Sequence, residues 1–160
     1  MKIEYLTSLR DHPAAYPNDT DYKAAIKGIS LTEIDVLESS YNVGIRFPTA
    51  LRELLYLAGK SCYVLSYGMN KSQQEMQEQA REMLQEENRT IDRPFYAIDF
   101  YSDGEQFLFL YLDEGTEDPT VFCAYFGGGL GIEQVYPLKF TLSEYIKDGV
   151  EMVKKGYSPF

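Results

Sequence analysis

The stretch that decides the fold is PFYAIDFYSDGEQFLFLYLDEG, residues 94–115, in which two runs of apolar and aromatic residues flank Asp103-Gly104. An aspartate-glycine pair between two such runs is a strong signal for a β-hairpin that is closed by a two-residue type I′ turn. A turn at Asp103-Gly104 also fixes which residues pair across the two strands. The sequence therefore predicts an antiparallel hairpin with a defined register.

The predicted register assigns alternate residues to opposite faces of the hairpin. One face pairs Phe100 with Phe107, Ile98 with Phe109 and Tyr96 with Tyr111. This face is too apolar to remain in contact with water, so we expect helices to cover it. The other face pairs Tyr101 with Gln106, Asp99 with Leu108 and Ala97 with Leu110. It either presents its polar side chains to a partner or is covered in its turn.

Further strands are predicted on both sides of this hairpin. β-branched and aromatic residues dominate three other short runs, which are CYVLSY at 62–67, TVFCAYF at 120–126 and GIEQVYPL at 131–138. Together with the hairpin, these runs predict a largely antiparallel sheet of about five to six strands.

Four segments carry helix signals, and three of them begin with a capping-box pattern. The capping pairs are Ser30 with Glu33, Ser72 with Glu75, and Thr141 with Glu144. Gly44 and Gly156 are expected to end the first and the last of these helices.

The remaining helix is predicted in FPTALRELLYLAGK, residues 47–60. Pro48 suits the first helical position, and Gly59 is expected to end the helix in the left-handed conformation. Spacing places Leu51, Leu54, Leu55 and Ala58 on one apolar stripe, with Arg52, Glu53 and Tyr56 turned away from it. The helix carries no residue that we expect to transfer a proton or bind a metal ion, so we interpret it as a packing element.

The chain of 160 residues has the size of one domain. Folding at this length buries about two-thirds of the unfolded surface, which is enough for a substantial core. Helices on a largely antiparallel sheet define an α+β fold. We predict that residues 31–156 form this α+β domain and that residues 1–30 form an amino-terminal arm or extra element.

The charge balance restricts the kinds of partner. Acidic side chains number 25 and basic side chains 15, so the net charge is −10. Such a charge repels phosphate backbones and anionic lipid headgroups, and it argues against binding to nucleic acid or to a membrane surface. It favours a basic partner, although solubility alone can also explain an acidic composition.

Two further features indicate a soluble cytoplasmic protein. The stretch MKIEYLTSLRDH, residues 1–12, carries charges where a signal peptide would be apolar, and no apolar run approaches the ~20 residues that cross a bilayer. Cys62 and Cys123 lie in apolar surroundings without CxxC spacing, so we expect buried thiols rather than a disulfide or a zinc site.

The candidate catalytic residues have simpler structural interpretations. The run GGGLG, residues 127–131, is not followed by Lys-Ser/Thr or by a helix, so it predicts a turn or bulge rather than a phosphate loop. His12 is the single histidine, and it lies beside Pro13 in a predicted surface segment. Asp99 and Asp103 could form a carboxylate pair, but a polar face position and a turn position explain them more simply.

The acidic clusters at 113–115 and 117–119 lack the ligand spacing of a calcium loop. They predict a solvated connection between strands. Since the sequence offers no nucleophile–base pair and no metal-ligand pattern, we expect a protein that is not an enzyme and that needs no cofactor and no metal ion.

The order of these elements resembles the SUKH superfamily, which includes the yeast cell-wall assembly regulator and many bacterial immunity proteins. The resemblance covers residues 31–153 and runs from LTEIDVLESSYNVGI through FPTALRELLYLAGK and the strand block to FTLSEYIKDGVE. Its most specific part is the proline-started helix, matched by Phe47, Pro48, Leu51, Leu54, Leu55 and Gly59. The chain departs from many members at Tyr125, Phe126 and Gly127, where they carry tryptophan, aspartate and histidine.

This resemblance implies an α+β fold and a non-enzymatic protein that binds another protein. The first hypothesis is an intracellular immunity protein that neutralises a basic, nuclease-type toxin domain by occlusion. The alternative is a regulatory adaptor that binds a cellular protein, as in the control of cell-wall synthesis. Homo-oligomer formation is left open. From the hairpin register and the acidic connection, the residues predicted to bind the partner are Asp99, Tyr101, Asp103, Glu105, Gln106, Asp113 and Glu114.

Overall fold

The computed structural model describes residues 1–15, 25–101, 105–127 and 134–158. These residues contain five helices and four strands. The helices are α1 (Thr7–Asp11), α2 (Leu31–Tyr41), α3 (Thr49–Ala58), α4 (Gln73–Glu86) and α5 (Leu142–Lys154). The strands are β1 (Phe95–Tyr101), β2 (Gln106–Tyr111), β3 (Thr120–Tyr125) and β4 (Val135–Thr141).

The strands form one antiparallel sheet in the order β1-β2-β3-β4. The predicted α+β class and antiparallel sheet in a single domain are therefore confirmed, whereas the predicted strand number was too high. Among the described residues, 62–67 forms no strand, although Ser61 makes an isolated bridge with Lys27. Tyr63, Val64 and Leu65 are buried in an irregular segment, and a short apolar run does not distinguish such a segment from a strand.

The predicted hairpin register is correct near the turn and wrong farther from it. Phe100 pairs with Phe107, Tyr101 with Gln106, and Asp99 with Leu108, as predicted. A bulge at Ile98 then shifts the pairing, so that Tyr96 faces Leu110 rather than Tyr111. The turn residues Asp103 and Gly104 lie outside the described residues.

The bulge changes which residues share a face, because one extra residue reverses the alternation. One core lies between α4 and the sheet and contains Met76, Ala80, Leu84, Phe95, Ala97, Phe100, Phe107, Phe109 and Ala124. The other face, with Tyr96, Ile98, Leu108 and Leu110, packs on buried residues of α1, α2, α3 and α5. Both faces are thus covered, and the predicted assignment of Tyr96 and Ile98 to the Phe107 face was wrong.

Side chains of α4 and the backbone of Ser66 protect the outer edge of β1. The Gln77 amide is completely buried and pairs with the backbone of Ala97 in both directions, with N···O distances of 2.8 Å. Arg81 donates to the Phe95 carbonyl at 3.3 Å, and the Phe100 N–H donates to the Ser66 carbonyl at 3.0 Å. These bonds satisfy edge groups that would otherwise be open to pairing with another strand.

The predicted helix starts are confirmed at all three capping sites. Reciprocal capping boxes form at Ser30 and Thr141, and the Ser72 hydroxyl accepts the N–H of Glu75. Gly44 and Gly156 have positive φ angles of 77° and 82°, as expected for residues that follow helices. Gly59 does not have the predicted left-handed conformation, because it continues the right-handed conformation with φ −59°.

Helix α3 is buried on more sides than its apolar stripe predicted. Leu51, Leu54, Leu55 and Ala58 are buried as expected, but Arg52 and Glu53 are buried as well. Arg52 pairs with Glu38 of α2 at 2.5 Å. The carboxylate of Glu53 accepts three backbone N–H groups from residues 4–6 at 2.6 to 2.9 Å. Glu53 therefore anchors the amino-terminal segment, whose Leu6 and Leu9 lie in the core.

Candidate functional site

Asp99, the central residue of the predicted partner-binding face, is completely buried. The sheet face that carries it is covered by the helical layer that includes α3 and α5. A carboxylate in this position cannot contact a partner, so the expectation that Asp99 lies on an open recognition face was wrong. Both faces of the sheet are covered, as the alternative prediction stated.

The surroundings of Asp99 disfavour its charge. Its Oδ1 accepts the N–H of Phe100 at 2.9 Å, while its buried Oδ2 makes no hydrogen bond of normal geometry among the described residues. The Tyr101 side chain and the backbone of Phe100 and Ser66 favour the charged form. Loss of hydration on burial outweighs them and raises the pKa of Asp99 well above its usual value.

The raised pKa of Asp99 predicts a specific pH dependence of stability. A group whose pKa is raised by folding contributes stability at acid pH and loses that contribution as the pH rises through the folded-state pKa. Asp99→Asn, which has a similar shape and no charge, is therefore expected to unfold at a higher temperature than wild type at neutral pH. The difference should shrink toward acid pH, and thermal unfolding across a pH series measures it.

The matched control is Asp148→Asn, which removes an exposed carboxylate of α5. Its melting temperature should stay close to that of wild type across the pH range, because surface substitutions usually change stability only slightly. A neutral-pH melting temperature of Asp99→Asn below that of wild type would show that the Asp99 charge is stabilising.

The other hairpin residues of the predicted site occupy different environments. The hydroxyls of Tyr101 and Tyr145 are 2.6 Å apart, and burial raises the pKa of both, so this pair remains protonated at neutral pH. The amide oxygen of Gln106 accepts the Cys123 thiol at 3.6 Å. Glu105 is exposed, and Asp103 lies outside the described residues.

The remaining two predicted residues, Asp113 and Glu114, belong to the acidic connection between β2 and β3. Asp113 pairs with Arg93, with its Oδ1 2.6 Å from the guanidinium, and this pairing lowers the pKa of Asp113. Glu114 accepts the N–H of Thr120 at 3.0 Å. Both carboxylates are thus engaged within the molecule, which reduces their attraction for an external cation.

The other two carboxylates of the connection hold the starts of two helices. Glu117 accepts the N–H of Thr49 at 2.7 Å, where α3 begins, and also binds the Thr49 hydroxyl. Asp118 accepts the N–H and hydroxyl of Ser143 at 2.9 and 2.6 Å, in the first turn of α5. Carboxylates stabilise helix amino termini by binding free N–H groups and opposing the helix dipole. The predicted solvated connection therefore also stabilises the starts of α3 and α5.

Acidic side chains without such an internal role lie on the outer surface of α4. Glu78, Glu82 and Glu86 follow one another at intervals of four residues and are all exposed. None of them forms an ion pair with the described residues. We call these three residues the acidic face of α4. Their helical spacing was visible in the sequence, but only the structure distinguishes them from the engaged carboxylates of the connection.

A concave surface lies where α2, the end of α3 and the start of α4 meet. This cavity of about 270 Å³ is lined by the apolar residues Ile29, Val36 and Leu37 and by the polar residues Lys60, Lys71 and Gln74, among others. We call it the α2–α4 groove. Val36 is 59% exposed. The only sign of the groove in the sequence is Val36, an apolar residue outside the buried stripe of α2.

The single histidine and the two cysteines are the other groups that could carry chemistry. The described residues contain no group of three or more histidine, cysteine or acidic side chains that could hold a metal ion. The Nδ1 of His12 lies 3.1 Å from the Ser8 carbonyl, at the end of α1. Burial raises the pKa of the Cys62 thiol to about 12 and also raises that of Cys123, which disfavours a nucleophilic thiolate. Within the described residues, no helix is long and apolar enough to cross a membrane.

Comparisons of the chain with protein-family models, curated proteins and solved structures found no match.

Proposed function

We propose that this chain is a non-enzymatic cytoplasmic protein-binding domain, and that it neutralises a basic, nuclease-type toxin domain by covering its functional surface. The proposal combines the resemblance to SUKH immunity proteins with the acidic face of α4, which is the observation that carries it. A regulatory role on a cellular protein is the alternative, and the identity of the bound partner separates the two.

The acidic face of α4 supports the proposal because repulsion between its like charges destabilises the helix. Like charges four residues apart on a helix repel each other by roughly 0.2 to 0.5 kcal/mol per pair. Glu78 with Glu82 and Glu82 with Glu86 are two such pairs. A chain with net charge −10 has no need of these glutamates for solubility alone. A partner with a basic surface would relieve the repulsion and be attracted before contact.

The test begins with the partner, which is captured on the immobilised wild-type chain from the cell that produces it and identified by mass spectrometry. Association with the purified partner is then measured for wild type and for Glu82→Lys/Glu86→Lys. We expect the variant to associate about tenfold more slowly or worse at low salt. The difference should fade at high salt, because the Debye length shrinks from ~10 Å at 0.1 M to ~3 Å at 1 M.

The matched control is Asp148→Lys/Glu151→Lys, which makes the same change in net charge on α5, where Asp148 is exposed and Glu151 is half-exposed and paired with Lys154. It should associate nearly as fast as wild type if α4 is the surface that attracts the partner. Inhibition of the partner's nuclease activity by the wild-type chain would support immunity, and a partner without toxicity would favour the adaptor. An acidic partner, or equal slowing by both variants, would contradict a specific role for α4.

A further inference from the structure

The α2–α4 groove has the size and lining of a site for a small apolar group. Its volume of about 270 Å³ is close to the lower end of ligand pockets, which span roughly 300–1,000 Å³. Ile29, Val36 and Leu37 supply its apolar wall. The exposure of Val36, at 59%, shows that this wall is open to solvent rather than closed by the fold.

Two of the three charged residues that line the groove are basic, whereas the chain as a whole has an acidic excess. Lys60 and Lys71 line the groove, and neither forms an ion pair with the described residues. Its one lining acid, Glu33, is engaged by the N–H and hydroxyl of Ser30 at 2.8 and 2.7 Å. Two lysines beside an apolar wall, in a chain of net charge −10, form a local site for an anion that is attached to an apolar group.

The groove lies next to the acidic face of α4. Gln74, which lines the groove, donates to Glu78 at 2.8 Å. The rise along the helix axis from Gln74 to Glu78 is about 6 Å. A basic site and an acidic surface are therefore neighbours at α4, so one partner could contact both.

From this arrangement we infer that the α2–α4 groove docks a protein segment in which an apolar side chain is adjacent to aspartate or glutamate. The apolar side chain packs against Val36 and Leu37, and the carboxylate binds Lys60 and Lys71. This inference rests on the proposed function only in taking the partner to be a protein. It adds a second contact, of opposite charge, to the acidic face of α4.

The experiment uses two blocked dipeptides as probes, acetyl-Leu-Asp-amide and acetyl-Leu-Lys-amide, titrated into the full chain labelled with nitrogen-15. We expect the acidic dipeptide to shift the amide signals of Val36, Lys60, Lys71 and Gln74, with the millimolar affinity typical of so few atoms. The basic dipeptide should shift them at least about fivefold less, because it places a third cation beside the two lysines. Equal shifts with both probes, or no shifts at these residues, would overturn the inference.

Variants test the two halves of the site separately. Lys60→Glu/Lys71→Glu should abolish the preference for the acidic dipeptide, and Val36→Ser should weaken both dipeptides. Lys139→Glu/Lys147→Glu, which changes exposed lysines of β4 and α5, carries the same net charge as the first variant and should bind like wild type. Loss of binding in this control would show that the net charge, and not the groove, selects the probe.

The outcome is independent of the test on α4. If the dipeptide binds in the groove while reversal of Glu82 and Glu86 leaves partner association unchanged, the role proposed for α4 is contradicted and the groove site remains. If reversal of Glu82 and Glu86 slows association while neither dipeptide shifts the groove residues, the partner docks on α4 without using the groove.

Discussion

Replacing Glu53 by alanine is expected to lower the free energy of unfolding by about 3 to 5 kcal/mol. Glu53 is completely buried, and its carboxylate accepts the N–H groups of Glu4, Tyr5 and Leu6. Each lost hydrogen bond to a charged group costs roughly 1.5 to 3 kcal/mol, and re-entry of water at the partly exposed amides recovers some of that loss. Urea denaturation at neutral pH measures the effect.

Two controls separate the role of Glu53 from a general effect of losing a carboxylate. Glu53→Gln keeps one acceptor oxygen and the side-chain shape, so it should lose less stability than the alanine variant. Glu82→Ala removes an exposed glutamate and should change stability by less than about 0.5 kcal/mol. In hydrogen exchange, Glu53→Ala should expose the amides of Tyr5 and Leu6 first. Unchanged protection there would contradict the anchoring role.

The second large effect is expected from Leu54→Ala, which should cost about 2 to 5 kcal/mol. Leu54 is 2% exposed and belongs to the core between α3 and the sheet. The truncation removes buried methyl groups and leaves a cavity that the surrounding side chains fill only in part. Leu55→Ala, at 1% exposure, should fall in the same range.

Tyr56→Ala on the same helix is the control, because its side chain is 37% exposed and the residue lies off the apolar stripe. Its urea midpoint should change much less than that of Leu54→Ala. A midpoint for Leu54→Ala within experimental error of wild type would show that α3 does not have the structural role assigned to it.

Local chemistry explains why the helix starts were predictable. A capping residue needs only the N–H groups two or three positions ahead of it, so Ser30, Ser72 and Thr141 act through contacts that the sequence already contains. Gly59 shows the limit of this reasoning. Its left-handed conformation was an option and not a requirement, and the chain continues in a right-handed turn toward Lys60 and Ser61, both of which bond to the Lys27 carbonyl.

The hairpin register shows how far a turn signal extends. Three pairs next to the turn were correct, because alternation fixes neighbours once the turn is placed. The bulge at Ile98 was not predictable, since it accompanies contacts with a distant helix. On one side of it Gln77 pairs with the Ala97 backbone, and on the other Ser66 binds the Phe100 N–H. Nothing in residues 94–111 encodes those partners.

The candidate site was less predictable than the fold, because charge alone does not reveal where a carboxylate is used. Glu117 and Asp118 bind the starts of α3 and α5, which lie 68 and 25 residues away in the sequence. Asp99 had the alternation of a solvent-facing residue, but helices cover its face of the sheet. The groove beside Val36 combines residues from three helical segments that have no sequence proximity.

The sequence by itself determined the α+β class, the helix starts, the hairpin and the excess of negative charge, because each depends on composition or on residues within a few positions of one another. Only the tertiary structure decided which carboxylates are engaged and which remain exposed, how many strands the sheet has, and where a concave apolar surface lies beside two lysines. These properties depend on burial and on contacts between distant segments, which long-range packing sets and local propensity does not.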